Sequence, residues 1–269
     1  DKAVASGADF VVGPLGRDEV DAVYGRQQLQ VPVLALNRGK DAPPAGSAGF
    51  SLAPEDDGIV AAEYLRGRER GKALVINSAD DTGRRAAAAF AQRFAQRGGQ
   101  VVATIGVTDA VGDVGAQVRN AGQVDAVFLA VRAPQARLLA PQLALAGAGG
   151  ATRVGTSQLT VGSGKVEEDV ALDGIVYPNE AWNVRSVSGL PSASQVASTL
   201  PSARGAAGRL FAFGADAWKI TAYLDKLSNE GGLDGATGTL FLDSNGNILR
   251  QPAWSTFNGG RPMPIVGGR

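Results

Sequence analysis

The sequence predicts an α/β fold in which parallel sheets are flanked by helices. Short runs of β-branched and other apolar residues alternate with stretches whose apolar residues recur at helical spacing. Such alternation is typical of strands joined by helical crossovers, which makes the strands parallel and covers both faces of the sheet. With 269 residues, 44% of them hydrophobic and 19% charged, the chain is long and apolar enough for one or two domains with buried cores.

The first two thirds of the sequence predict a series of alternating strands and helices. The opening residues predict the end of a helix that stops at Gly7, since glycine commonly follows a helix C-terminus. Pro54 fits the first turn of a helix, and the acids after it, Glu55-Asp56-Asp57, lie near the positive end of the helix dipole. Strands are predicted at 9–13, 31–36, 72–77, 100–107, 125–131, 152–157 and 173–177. Further helices are predicted at 18–28, 83–97, 112–120 and 133–146, and a Pro/Gly/Ala-rich loop at 37–49.

The last third of the chain changes character. A Ser/Pro-rich segment at 187–208 precedes a long predicted helix at 209–227. Beyond it, Asn245-Gly246 separates two apolar runs, at 238–242 and 247–250. Asn-Gly in that position is a strong signal for a β-hairpin. A further strand is predicted at 254–257, followed by a Gly/Pro-rich end at 259–269.

The residue inventory excludes most catalytic classes. Histidine and cysteine are both absent, so imidazole bases, thiol nucleophiles, zinc fingers and iron–sulfur clusters are excluded. Lysine plus arginine equals aspartate plus glutamate at 26 each, so no net field draws the chain to nucleic acid or an anionic membrane. No apolar run approaches the ~18–20 residues of a membrane helix. We therefore expect a binding module without catalytic residues, metal or cofactor.

Two segments match ligand-binding loops only in part. Gly162-Ser163-Gly164-Lys165 lacks the glycine five residues earlier and the Ser or Thr after the lysine that a phosphate-binding loop needs. Asp243 to Asn247 begins like a calcium loop but lacks the required glycine and glutamate further on. We interpret the first as a loop and the second as a hairpin turn.

Polar residues that follow predicted strands form the candidate ligand cleft. Ligands of open α/β sheets bind outside the carboxyl ends of the strands, which is where these residues lie. Asp80 or Asp81 has an alternative role as the cap of the helix that follows. The candidate residues are Asn37, Arg38, Asp80, Asp81, Thr156, Ser157, Tyr177, Asn179 and Glu180.

Five segments, in chain order, carry a resemblance to a known family. They are Asp9-Phe-Val-Val-Gly-Pro-Leu15, Pro32-Val-Leu-Ala-Leu-Asn37, Phe50-Ser-Leu-Ala-Pro-Glu-Asp56, Arg209-Leu-Phe-Ala-Phe-Gly-Ala-Asp-Ala-Trp218, and Gly235-Ala-Thr-Gly-Thr-Leu240 with Ile248-Leu-Arg250 and Trp254. Together they resemble the LppC-type lipoproteins, outer-membrane activators of class A penicillin-binding proteins that have a type I periplasmic-binding-protein-like fold.

The resemblance implies two lobes between which the chain crosses more than once. Lobe one would hold residues 1–70 and 179–249, and lobe two residues 71–178 and 250–269. Family members have an opening strand–helix–strand block, a helical-repeat region and a lipid-bearing cysteine, none of which this sequence contains. We therefore expect a C-terminal part of a longer periplasmic lipoprotein that the missing anchor would attach to the outer membrane.

The implied function is non-catalytic regulation of peptidoglycan synthesis and cell shape through a class A penicillin-binding protein. The alternative is a small-molecule receptor of the amino-acid type. Receptors of this fold hold the ligand with Ser/Thr clusters and an acidic residue, because buried ligand charges need such partners. The stretches at 13–17, 36–39, 131–133 and 156–158 do not supply them. We therefore expect a cleft that has lost or changed that role.

The long helix near the C-terminus predicts a buried apolar stripe. Leu210, Phe211, Phe213, Ala217 and Trp218 recur at three- and four-residue spacings. Asp216 would lie at the edge of that stripe and would need hydrogen-bond donors, for which backbone amides of a neighbouring loop are suitable. The alternative is that the tryptophan is an exposed anchor for a partner, a role that this residue often has at interfaces.

Overall fold

The computed structural model describes residues 2–26, 28–160, 165–203, 206–227 and 232–265. Gly162 to Gly164 of the glycine-containing loop lie outside these residues. The contacts divide the chain into two compact units. Unit 1 comprises Asp1–Ala53 and Glu180–Pro252, and unit 2 comprises Pro54–Asn179 and Ala253–Arg269.

The described residues form the predicted mixture of helices and strands. The α-helices are α1 (Lys2–Ala5), α2 (Arg17–Tyr24), α3 (Pro54–Arg66), α4 (Asp81–Gln96), α5 (Gly115–Asn120), α6 (Ala133–Leu143), α7 (Val166–Asp169), α8 (Ala181–Val184), α9 (Ala193–Thr199) and α10 (Ala206–Leu227). The strands are β1 (Val11–Val12), β2 (Val33–Ala35), β3 (Ala48–Phe50), β4 (Lys72–Ser78), β5 (Gln100–Val107), β6 (Ala126–Ala130), β7 (Thr152–Gly155), β8 (Val176–Asn179), β9 (Leu233–Asp234), β10 (Thr239–Leu242), β11 (Asn247–Gln251), β12 (Ala253–Asn258) and β13 (Arg261–Pro264).

Unit 1 is built on a six-stranded sheet in the order β1-β2-β3-β11-β10-β9. The first four strands pair in parallel, and β11, β10 and β9 pair antiparallel. Phe50 on β3 stacks on Phe213 of α10 with ring centroids 4.5 Å apart. These two rings join the sheet to the long helix in a core that also contains Leu34, Leu240 and Ile248.

Unit 2 is built on a seven-stranded sheet in the order β13-β12-β8-β7-β6-β4-β5. The strands from β8 to β5 are parallel, as predicted. Strand β12 pairs antiparallel with β8, and β13 pairs antiparallel with β12. Alternate residues of β4 enter two different cores, Leu74 and Ile76 one and Ala73 and Val75 the other. Burial on both faces explains why the strand is a continuous apolar run.

The contacts divide the chain between Ala53 and Pro54, whereas the predicted boundary lies near residue 70. Helix α3 belongs to unit 2 because it packs closely along α4. Gly58 makes this possible, since a Cβ at that position would lie 2.2 Å from the carbonyl oxygen of Ala86. The boundaries of the two predicted lobes, residues 1–70 with 179–249 and residues 71–178 with 250–269, stay a prediction about functional domains.

Several element boundaries differ from the sequence prediction. Strand β3 begins inside the predicted loop at 37–49, and β13 lies in the Gly/Pro-rich end. Helix α9 occupies part of the Ser/Pro-rich segment, where Ser192 caps it by accepting from the Gln195 amide. Strand β8 begins at Val176 instead of residue 173. These elements are short, so pairing partners and local caps decide them more than apolar periodicity does.

The predicted hairpin is confirmed. Strands β10 and β11 pair antiparallel, with Leu242 opposite Ile248. Gly246 has a φ of 78°, which glycine adopts without strain. The Asp243 carboxylate accepts hydrogen bonds from the amides of Asn245 and Asn247 and so closes the turn.

The buried stripe predicted for the long helix is wrong at two positions. Trp218 is 78% exposed and Leu210 64% exposed, whereas Phe213 and Ala217 are buried. The helix is apolar over an arc wider than the sheet covers, so spacing alone could not tell which flank would be buried. The exposure is what the alternative interpretation, an anchor for a partner, requires.

Candidate functional site

The candidate residues after β4 act at the start of the next helix. Asp80 caps α4, with Oδ1 accepting from the Gly83 amide at 2.8 Å and Oδ2 accepting from Arg132 at 3.0 Å. The Gly83 hydrogen bond, opposed by partial burial and aided by Ser78 and Arg132, lowers the pKa of Asp80. Asp81 is exposed and pairs with Arg85 one turn later, at 3.3 Å. The capping alternative therefore describes Asp80.

The candidate residues after β7 are buried against the start of α3. Ser157 donates to Asp57 Oδ2 from its backbone amide at 3.0 Å and from its hydroxyl at 2.6 Å. Asp57 lies in the first turn of α3. The acidic run at this helix start therefore binds a neighbouring loop in addition to interacting favourably with the helix dipole. The neighbouring Thr156 hydroxyl is buried and has no hydrogen-bond partner among the described residues.

The candidates on β8 are part of the interior of unit 2. Tyr177 is fully buried, with its ring 5.2 Å from that of Phe257. The Asn179 side-chain amide donates to the Ser255 hydroxyl at 3.0 Å, and this bond ties β8 to the antiparallel strand β12. Both side chains stabilise the sheet.

The candidates in unit 1 are also held by neighbouring groups. The Asn37 side chain donates to the Leu15 carbonyl at 2.9 Å and accepts from the amide of Arg38, which is half-buried. Glu180 is only 2% exposed and forms an ion pair with Arg209 of α10 at 2.8 Å. A buried carboxylate requires such a partner, so Glu180 fastens the start of this segment to the long helix.

The sequence did not predict the burial of three aspartates of unit 2, Asp56, Asp57 and Asp169. The run Glu167-Glu168-Asp169 is typical of a solvated helix face. Asp169 is buried and pairs with Arg137 at 2.7 Å. An arginine at the right place on α6 was the only signal, and it lies too far along the chain to be matched by spacing.

Asp216 has the hydrogen bonds that were predicted for it. The carboxylate accepts from the Ala236 amide at 2.6 Å, and from the Thr237 amide and hydroxyl at 2.7 and 2.6 Å. Burial raises the pKa of Asp216, and these bonds oppose that shift. The loop before β10 is therefore fixed to α10 by a side chain that spacing placed at the edge of the apolar stripe.

The described residues contain neither a candidate membrane span nor a candidate metal site. No helix in this part of the chain is long and apolar enough to cross a membrane. No group of three or more acidic side chains within it is arranged to hold a metal ion.

The two helix-flanked sheets define an α/β chain of two compact units. The family model described as "LppC putative lipoprotein" matches residues 1–119 and 105–260. The chain therefore belongs to the LppC lipoprotein family, as the resemblance predicted.

Curated relatives carry one name in common. The penicillin-binding protein activators LpoA of Enterobacter sp. (strain 638) and Haemophilus ducreyi are 25% and 27% identical to this chain. Each alignment covers 96% of this chain, and 41% and 45% of the relative. The LpoA of Escherichia coli (strain K12) is 24% identical, with 96% and 44% covered. The chain thus spans less than half the length of these relatives.

Solved structures agree on the fold. The C-domain of LpoA (YraM) from Haemophilus influenzae, a regulator of PBP1A, matches with a TM-score of 0.85 at 23% identity, over 98% of this chain and 84% of that domain. A "putative branched-chain amino acid ABC transporter" from Chromobacterium violaceum matches with a TM-score of 0.70 at 26% identity, over 95% and 82%. The type I periplasmic-binding-protein-like fold is therefore confirmed.

Proposed function

We propose that this chain is a non-catalytic regulator of peptidoglycan synthesis that binds and stimulates a class A penicillin-binding protein. It would act in the periplasm as part of an outer-membrane lipoprotein. The observation that carries the proposal is the family relation, which extends from residue 1 to residue 260. The relatives described above are all named as activators of penicillin-binding proteins.

The hydrogen bonds that the strand-end residues already form within their unit support a protein partner over a small ligand. Asp80, Ser157 and Asn179 use their polar atoms on other residues of their own unit. A ligand that displaced these bonds would leave buried polar groups unpaired, which costs about 1–3 kcal/mol per group. Helix α10 meanwhile exposes a tryptophan to solvent.

A binding assay tests the proposal. The purified chain is immobilised and exposed to the periplasmic part of a class A penicillin-binding protein from the same source. We expect saturable binding. Absence of binding, with a chain whose circular dichroism and melting show it to be folded, would contradict the proposal.

The second candidate function is a small-molecule receptor. The observation that favours it is the match to the Chromobacterium violaceum protein. Calorimetric titration with leucine and glutamate separates the two functions, because we expect no heat of binding for either. A micromolar affinity, about −8 kcal/mol, would instead support the receptor.

A further inference from the structure

A cluster of cations lies at the edge of unit 2 where the parallel strands begin. The turn between α3 and β4 and the turn between α4 and β5 meet there, since the Gln100 amide donates to the Gly71 carbonyl at 2.8 Å. Ligand sites of open α/β sheets lie at the opposite, carboxyl edge. Six cations lie in these two turns and in the helix ends that precede them. We call them the basic edge: Arg66, Arg68, Arg70, Lys72, Arg93 and Arg97.

Contacts within the basic edge hold several of these cations together. Arg66 donates to the Arg97 carbonyl at 3.0 Å and to the Arg70 carbonyl at 2.7 Å. Arg68 lies over the Tyr64 ring, with its guanidinium carbon 3.5 Å from the centroid. The Arg70 Nε donates to the Thr152 hydroxyl at 3.0 Å. The guanidinium groups are thus positioned by neutral oxygens and by an aromatic ring.

Three carboxylates lie among the six cations of the basic edge, namely Glu63, Glu69 and Asp125, and Glu69 is exposed without an ion pair among the described residues. Arg93 and Arg97 share the single carboxylate of Glu63. The Asp125 carboxylate accepts from the backbone amides of Gly71 and Lys72. Among the described residues, no carboxylate forms an ion pair with the four remaining cations: Arg66, Arg68, Arg70 and Lys72.

A structural role explains only some of the cations of the basic edge. Cations at a helix C-terminus interact favourably with the helix dipole, which accounts for Arg66 on α3 and for Arg93 and Arg97 on α4. Arg70 and Lys72 lie beyond the helix end and are exposed. The dipole does not reach them, because its effect falls off within the last turn.

The composition of the basic edge selects an acidic protein surface as its partner. Five of its six cations are arginine, whose planar fork binds carboxylates bidentately and is enriched at protein interfaces. Among the described residues of the two turns, at 66–72 and 93–100, no large apolar side chain that could anchor a lipid surface is exposed. The chain has no net charge, so any attraction must come from this local excess.

The geometry points to the basic edge as a docking surface for an acidic segment of the penicillin-binding protein. This inference rests on the proposed function and assigns to it a face of unit 2 distinct from the strand-end residues. Arg70 and Lys72 make the principal contacts, and Arg66 is a positioning residue that joins the two turns.

Charge reversal tests this inference. The variant Arg70→Glu with Lys72→Glu changes the charge by the same amount as the control Arg119→Glu with Arg261→Glu, which alters two exposed cations elsewhere on unit 2. A neutral variant, Arg70→Gln with Lys72→Gln, guards against misfolding. Binding is measured to poly-L-glutamate, to phosphatidylglycerol vesicles and to the periplasmic part of the synthase, at about 50 and about 500 mM salt.

We expect charge reversal at the basic edge to weaken binding to poly-L-glutamate and to the synthase about tenfold at low salt, with a smaller difference at high salt. The control should stay within about twofold of the unmodified chain. Equal loss in both variants, no loss in either, or loss of vesicle binding alone would overturn the inference. If poly-L-glutamate binding depends on the basic edge but the synthase does not bind at all, the proposed function fails while the acidic-surface chemistry of the edge stands.

Discussion

Some side chains of α10 are buried and stabilise unit 1, whereas others are exposed and available to a partner. Phe213 stacks on Phe50 in the core, while Trp218, little more than a turn later, is 78% exposed. Asp216 between them is buried and accepts three hydrogen bonds from the loop before β10. Burial thus changes completely within six residues of one helix.

Truncation of the two aromatic residues should therefore have opposite consequences. Phe213→Ala should lower the free energy of unfolding by about 3–5 kcal/mol, because it opens a cavity against Phe50. Trp218→Ala should stay within about 0.5 kcal/mol of the parent, as surface substitutions do. Urea unfolding followed by circular dichroism measures both. A large loss for the tryptophan variant would show that its ring is buried.

Capping by Asp80 should make part of the stability depend on pH. Because the folded state lowers the pKa of this carboxyl below its ordinary value, its charged form stabilises the protein fully above that ordinary value. The contribution is lost as the pH falls through the folded-state pKa. Asp80→Ala should cost about 1 kcal/mol near neutral pH.

The pH series needs a matched neighbour. Asp81→Ala removes an exposed carboxylate from the same helix start and should cost less than about 0.5 kcal/mol. Urea unfolding from about pH 7 to about pH 3 should show the Asp80 deficit shrinking at the acid end. A deficit that grows on acidification would refute the role of the charged cap.

At the scale of elements, the sequence predicted the long strands of unit 2 better than the short strands of unit 1. The prediction for 100–107 coincides with the eight-residue strand β5, and 72–77 differs from the seven-residue strand β4 by one residue. Strand β4 is buried, and a buried parallel strand is a continuous apolar run that the sequence shows directly. The two-residue strand β1 and the three-residue strand β3 form because each pairs with β2. Pairing is a long-range property, so no local window of sequence contains it.

The candidate site was predicted in part for the same reason. The position of Asp80 before a helix implied a cap, and the structure has that cap. The bond between Ser157 and Asp57 joins residues 100 positions apart, which no spacing rule anticipates. Sequence placed these residues at strand ends and helix starts, but their partners come from tertiary packing.

Two helix glycines should respond oppositely to alanine. Gly58→Ala places a Cβ 2.2 Å from the Ala86 carbonyl oxygen, so α3 and α4 must separate, at a cost of about 1–3 kcal/mol or more. Gly214→Ala in α10 meets no atom within 4 Å and should raise stability by about 0.5–1 kcal/mol. Thermal unfolding compares them directly. A neutral Gly58 variant would contradict the close packing of α3 on α4.

At the scale of the whole molecule, the family relation and the residue inventory both favour regulation over catalysis. The chain has neither histidine nor cysteine, and its family members are named activators of penicillin-binding proteins. Ser157 and Asn179 at the strand ends form hydrogen bonds within their own unit, whereas Arg70, Lys72 and Trp218 are exposed. Surface contact with a partner is therefore what the proposed function requires of the molecule.

Stimulation of a class A penicillin-binding protein by the purified chain tests the central claim most directly. Peptidoglycan synthesis from lipid-linked precursor is followed with the synthase alone and with increasing amounts of the chain, and a heat-unfolded chain serves as control. We expect the rate to rise and saturate as the folded chain is added, with no turnover by the chain itself. A rate that the folded chain leaves unchanged at saturating amounts would contradict the claim.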